Sequence, residues 1–169
     1  MSFSIIAALA KNRVIGKHNQ LPWSIAEDLA YFYQTVFQKP VVMGHHTYTS
    51  LGKPIAHSPN IVLSRDLTLS LPEVKVMHSV EEVVQFERAY PQEVMIIGGA
   101  EVYQQFIPLA DKMYLTLIDE EINGDSYFPK WPKQEWLEIS TKTSQNHRYG
   151  YRFVILVRVK TYDYPRSGL

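Results

Sequence analysis

Five short apolar runs, set among stretches of a different period, constrain this chain more than any other feature. They are SIIAALA (4–10), PVVMG (40–44), NIVLS (60–64), VKVM (74–77) and EVMIIGG (93–99). Each is brief, rich in aliphatic side chains and bounded by turn residues, the pattern of a strand buried on both faces. Helical periodicity lies between and after them, in SIAEDLAYFYQTVF (24–37), SVEEVVQFERAY (79–90) and AEVYQQFIPLA (100–110). Ser79 and Glu82 have the spacing of a capping box. This alternation predicts an α/β fold with a mainly parallel sheet covered on both sides. The last third differs. KMYLTLIDEEI (112–122), EWLEISTKT (135–143) and YGYRFVILVRVK (149–160) read as strands with no helix between them, and SQNHRYG as a hairpin connection. An antiparallel edge, with an antiparallel C-terminal strand, should therefore complete the sheet. The 169 residues show no repeat or linker. They predict one domain over 1–160 and a loose tail over 161–169.

Seventeen basic residues balance seventeen acidic ones. That balance argues against a nucleic-acid or anionic-membrane partner and leaves a small molecule in a local pocket. With no cysteine in the chain, a disulfide framework, a thiolate metal site and a Cys nucleophile are excluded. The expected compartment is the reducing cytoplasm. The first apolar run is too short to span a bilayer and has no basic leader, so no signal peptide is expected. The six His lack H-x-H or H-x-x-x-H spacing, so no metal is expected.

One acid sits where apolar residues should be. Ser24 followed by Glu27 has capping-box spacing and predicts a helix starting at Ser24. At about 100° per residue, Ile25, Leu29, Phe32 and Val36 form one stripe. Glu27 falls opposite it, facing water. Asp28 falls beside Phe32 at the stripe's edge, roughly 70° from its centre. Two readings stand. Asp28 favours the helix dipole at the N-terminus, or it forms a pocket wall that accepts two parallel N–H bonds from an amidine-like edge. Partial burial would then raise its pKa.

Gly98–Gly99 stands between a strand and a helix, where the backbone can approach a ligand and a helix N-terminus can meet an anion. A plain strand-to-helix turn is the competing reading. No G-x-G-x-x-G or P-loop pattern is present. MGHHTYTSLG repeats the arrangement, with Gly44 ending a strand and Thr47 near a helix start. VLSRD puts Ser64 and Arg65 just past the next strand. Ligands of open α/β sheets bind beyond the carboxyl ends of strands, and three such ends with phosphate-binding groups suggest a dinucleotide.

In combination, IAALAKNRVIG, LPW followed by EDLAYF, KPVVMGHHTYTSLG, NIVLSR, MIIGGAEVYQQF, YLTLID and GDSYFP resemble bacterial dihydrofolate reductases over residues 3–160. The resemblance implies an eight-stranded sheet with four helices and reduction of 7,8-dihydrofolate to tetrahydrofolate by NADPH. It also implies a monomer and inhibition by diaminopyrimidine antifolates. Asp28 resembles the family's pterin-binding carboxylate, backed by Thr116, with Trp23 fixing an ordered water. Ile6, Ala7, Leu29, Phe32, Leu51 and Ile55 would line the substrate pocket, with the Ile6 and Ile97 carbonyls facing the exocyclic nitrogen. Residues 19–23 resemble a lid. Ala8, Ile15 and Gly16 would lie along the nicotinamide. Gly98 and Gly99, joined by the family's cis peptide, would flank nicotinamide and pyrophosphate with Ala100, Val102 and Tyr103. Gly44, His46, Thr47 and Leu63 would complete the pyrophosphate side, and Ser64 and Arg65 would take the 2′-phosphate.

Four departures stand out. His45 replaces the Arg or Lys usual after Met-Gly, and Glu101 stands where some relatives are basic. Ser58 occupies the position of the Arg that clamps the substrate's glutamate, leaving Lys53 or His57 as substitutes. Leu21 replaces a frequent Met. Two alternatives remain: a reductase of another pterin or pyrimidine-like substrate, and a non-catalytic nucleotide-binding or RNA-binding module. LPW with EDLAYF opposes the first. Zero net charge and the Asp28–Thr116 pair oppose the second.

Overall fold

The structure is a computed structural model that describes residues 2–159. The tail expected at 161–169 lies outside the described residues. Each apolar run forms a strand: β1 (Phe3–Leu9), β3 (Val41–Gly44), β4 (Asn60–Leu63), β5 (Lys75–Met77) and β6 (Val94–Gly98). The later runs form β7 (Ala110–Ile118), β9 (Trp136–Gln145) and β10 (Gly150–Arg158). These eight make one sheet in the order β5-β4-β3-β6-β1-β7-β10-β9. Four helices accompany it: α1 (Ala26–Val36), α2 (His45–Leu51), α3 (Val80–Arg88) and α4 (Ala100–Phe106).

Both faces of the central strands are buried, as their unbroken apolar runs require. Along β1, Phe3, Ile5, Ala7 and Leu9 point to one side, where they pack with Val83 of α3 and Val102 and Phe106 of α4. Ile6 points to the other side and joins Val36 and Phe32 of α1 and Tyr48 and Leu51 of α2. The period-two alternation of a strand thus divides one apolar run between two cores.

The antiparallel edge and the antiparallel C-terminal strand are both present, and one helix start needs correction. β10 pairs antiparallel with β7 on one side and with β9 on the other, so β9 is outermost. Burial explains the order: Tyr151, Phe153 and Val154 of β10 are buried, whereas β9 is exposed almost throughout. The helix expected from Ser24 starts at Ala26 instead, with Ile25 in the cap position and no side-chain cap bond. The Ser24–Glu27 box does not form, because Glu27 turns to accept a hydrogen bond from the Tyr151 hydroxyl at 2.9 Å. The other box does form: the Glu82 N–H donates to Ser79 Oγ at 3.1 Å.

A small ribbon escaped the sequence reading. β2 (Val14–Gly16) pairs antiparallel with β8 (Ser126–Tyr127) beside the segment that carries Trp23. Gly124 lets the two pieces meet, since a Cβ there would sit 2.6 Å from the Gly16 carbonyl oxygen and against the Val14 side chain. No helix among the described residues is long and apolar enough to cross a membrane. Gly124→Ala is expected to destabilise the fold by about 1–3 kcal/mol through overpacking. Gly150→Ala, with nothing within 4 Å of the added atom, should be close to neutral. Thermal unfolding of the two variants side by side checks both.

Candidate functional site

A cleft of about 1360 Å³ runs across the carboxyl ends of the parallel strands. Pockets for single drug-sized ligands typically span about 300–1,000 Å³, so this one has room for two molecules. The topology places it. β6 is inserted between β3 and β1, and the chain leaving each of these strands contributes to the wall.

At one end, α1 and β7 bring Asp28 and Thr116 together. The Thr116 hydroxyl donates to Asp28 Oδ1 at 2.6 Å, the length of a charge-assisted O–H···O⁻ bond. Thr116 is buried at 2% exposure, and Asp28 is half-buried at the wall. Burial raises the Asp28 pKa, and the Thr116 hydrogen bond opposes that rise. Ile6, Ala7, Leu29, Phe32, Leu51 and Ile97 add apolar surface to the cleft lining. Trp23 is buried nearby, and its indole N–H has no protein partner.

In the middle, Gly98 and Gly99 are joined by a cis peptide. Gly98 has φ +121°, and a Cβ there would meet the Tyr103 hydroxyl at 3.2 Å. Only glycine serves both demands. The Tyr103 hydroxyl donates to the Ile6 carbonyl at 2.8 Å, which links α4 to β1. A Cβ on Gly99 would lie 3.5 Å from Thr47 Oγ1, so the glycines and the start of α2 face one narrow gap. Ala8, Ile15, Gly16 and Leu21 close this part from the β2 side.

At the far end, Gly44, His45, His46, Leu63, Ser64, Arg65, Ala100, Glu101 and Val102 line the wall. Among the described residues of the lining, Arg65 and the three imidazoles His45, His46 and His78 all lie here. The Asp28 half holds no cation. Backbone N–H groups, hydroxyls, glycines and one guanidinium are a donor set that suits a phosphorylated dinucleotide.

Three expected residues are not on this wall. Lys53, Ile55 and His57 do not line the cleft. Ile55 is buried beneath it, with its N–H and carbonyl tied to the Asn60 side chain at 2.9 and 2.8 Å. His57 stands against the Phe37 ring at 5.6 Å. Ser58 donates to the Val36 carbonyl at 3.0 Å and so caps the end of α1. Sequence reasoning missed His78, which lies beyond β5 and meets the Ser64 carbonyl at 2.9 Å through Nδ1. It also missed Tyr33, Ser50 and Asp66. The signal for His78 was its place just after the VKVM strand, the position that singled out Ser64 after β4.

Comparison with known proteins agrees with this geometry. A family model described as dihydrofolate reductase matches residues 2–158. The chain belongs to the dihydrofolate reductase family. The dihydrofolate reductase of Haemophilus influenzae is 44% identical over 161 residues, covering 94% of this chain and 99% of that one. The type 3 enzyme of Salmonella typhimurium is 38% identical with the same coverage. The solved structure of the Enterococcus faecalis dihydrofolate reductase, complexed with NADP(H) and RAB-propyl, superposes with a TM-score of 0.88. It is 30% identical, covering 94% of this chain and 97% of that one.

Burial of Asp28 has a consequence for stability. Its pKa in the folded chain is raised, so the fold disfavours the carboxylate relative to the unfolded chain. That cost is fully present above the folded pKa and disappears below the unfolded value of about 3.9. Asp28→Asn is expected to raise Tm at pH 7 and to lose that advantage as pH falls through this window. Calorimetry across pH tests it. A variant less stable at pH 7 would show that the Thr116 bond outweighs desolvation.

Proposed function

We propose that this chain is an NADPH-dependent dihydrofolate reductase, converting 7,8-dihydrofolate to 5,6,7,8-tetrahydrofolate. The observation that carries the reading is the Asp28–Thr116 pair, set in a cleft whose other end gathers glycines, Thr47, Ser64 and Arg65. NADPH, when bound, supplies the hydride that reduces pterin C6.

The protein's part is to hold and orient. Thr116 occupies one lone pair of Asp28 Oδ1 and fixes the carboxylate's rotation. The outer edge of the carboxylate is left to accept from N3–H and the 2-amino group, a bidentate geometry. The Ile6 and Ile97 carbonyls bound the same end of the pocket. One lone pair of the Ile6 oxygen already takes the Tyr103 hydroxyl, which leaves the other for the exocyclic nitrogen. Asp28 favours the protonated ring electrostatically without reaching N5. The proton at N5 comes from water, and the unpaired Trp23 indole N–H is the group that would hold one. Gly44, Thr47, Gly98 and Gly99 would hold the pyrophosphate, and Ser64 and Arg65 the 2′-phosphate. Diaminopyrimidines carry the N–H edge that Asp28 accepts, so antifolates of that class should inhibit.

Loss of reduced-nicotinamide absorbance on mixing the protein with NADPH and dihydrofolate tests the assignment. Oxidation should require dihydrofolate and fall by roughly 100-fold or more in Asp28→Asn. Oxidation that Asp28→Asn leaves intact would sink the role given to Asp28.

One observation favours a second reading, a reductase for a pterin without a glutamate. Among the described residues, the Asp28 half of the cleft has no cation, and Ser58 is spent on the Val36 carbonyl. Under the main reading this means a loose hold on the substrate's glutamate. Ser58→Arg should then lower the KM for dihydrofolate roughly tenfold, the worth of a charged hydrogen bond, with kcat little changed. An unchanged KM would favour the second reading.

A further inference from the structure

Arg65, the one guanidinium among the described residues of the cleft lining, is already engaged. Arg65 Nη2 lies 3.4 Å from Glu101 Oε1. The two side chains are 87% and 72% exposed and both line the cleft, so the pair bridges its mouth between the end of β4 and the first turn of α4. Asp66 is a second carboxylate there, but it is turned onto its own loop. Its Oδ1 accepts from the Thr68 N–H at 2.9 Å and from the Thr68 hydroxyl at 2.6 Å. The remaining ionisable groups at this end are the imidazoles of His45, His46 and His78. While those are neutral, this end holds two carboxylates against one guanidinium, an unfavourable balance for a wall that takes phosphates.

We infer that Glu101 is a specificity-determining residue that competes with the cofactor's 2′-phosphate for Arg65 and so weakens the preference for NADPH over NADH. The inference rests on the cofactor reading above and extends it to a residue that opposes binding. An exposed ion pair is weak, so a phosphate can displace Glu101 from Arg65. The displaced carboxylate nonetheless stays anchored to the first turn of α4, close to the new dianion, and like charges at short range repel. NADH has a hydroxyl in place of that phosphate. It can bind with the Arg65–Glu101 pair intact, and the penalty falls on NADPH alone.

Dissociation constants for NADPH and NADH, read by quenching of tryptophan fluorescence, test this in the native chain and in Glu101→Gln. The exposure of the side chain makes the variant safe for folding. It is expected to bind NADPH roughly threefold to tenfold more tightly, with NADH changed less than twofold. The gain should shrink at high salt, where exposed charges are screened. An unchanged NADPH constant, or equal shifts for both nucleotides, would overturn the inference and leave the cofactor reading standing. A native chain that bound neither nucleotide would overturn that reading, and the inference with it.

Discussion

The hydrogen bond from Thr116 to Asp28 is the contact on which the site depends, because it fixes the first turn of α1 to the middle of the sheet. Thr116 lies on β7 with Ala8 of β1 on one side and Phe153 of β10 on the other. Its place is therefore set by the middle of the sheet. α1 begins without a side-chain cap, so its own sequence does not settle where its first turn sits. The sheet settles it. Glu27 accepts from Tyr151, Asp28 from Thr116, and the Tyr31 ring rests on Phe153 at a centroid distance of 4.5 Å. Three residues of the first two turns are thus held by two strands. The carboxylate is positioned by tertiary contact in a way that propensity could not achieve.

That arrangement gives the cleft a polarity. The Asp28 half is apolar with one carboxylate. The far half collects the guanidinium, the imidazoles and the hydroxyls. The Asp28 end offers a hydrogen-bond acceptor and the far end offers donors, so the two ends suit different ligand chemistries. The two ends also differ in solvation. Asp28 works in a partly dry wall where a hydrogen bond is strong, whereas Arg65 is open to water, where pairing is weak and replaceable.

The strands were legible because an apolar run buried on both faces leaves little else for the chain to do. Asp28 was legible for the same reason, as an acid beside an apolar stripe. What failed were inferences from local pattern alone. The Ser24–Glu27 spacing is that of a cap, but Tyr151, which lies 124 positions away in the chain, claims the glutamate. Lys53 and His57 lie on a loop bonded around the Asn60 side chain and are not among the residues that line the cleft. The β2–β8 ribbon is too short for any periodicity. The order of β9 and β10 needed the knowledge that the more apolar strand would take the inner place. At the Ser24–Glu27 box, a long-range contact overrules a short-range signal.

Tyr103 shows how the two halves are joined. Its phenol is buried, and burial with the Asp28 charge raises its pKa above the ordinary tyrosine range. It therefore remains a hydrogen-bond donor at any physiological pH. Its acceptor is the Ile6 carbonyl on β1, while its own helix, α4, follows directly on Gly98 and Gly99. The ring is wedged against Phe128 at 5.0 Å between centroids and against Gly98, so it cannot swing aside without displacing both. A ligand that moved α4 would strip the Ile6 oxygen of its partner, leaving a buried acceptor unsatisfied. Tyr103 thereby ties the position of α4 to that of β1.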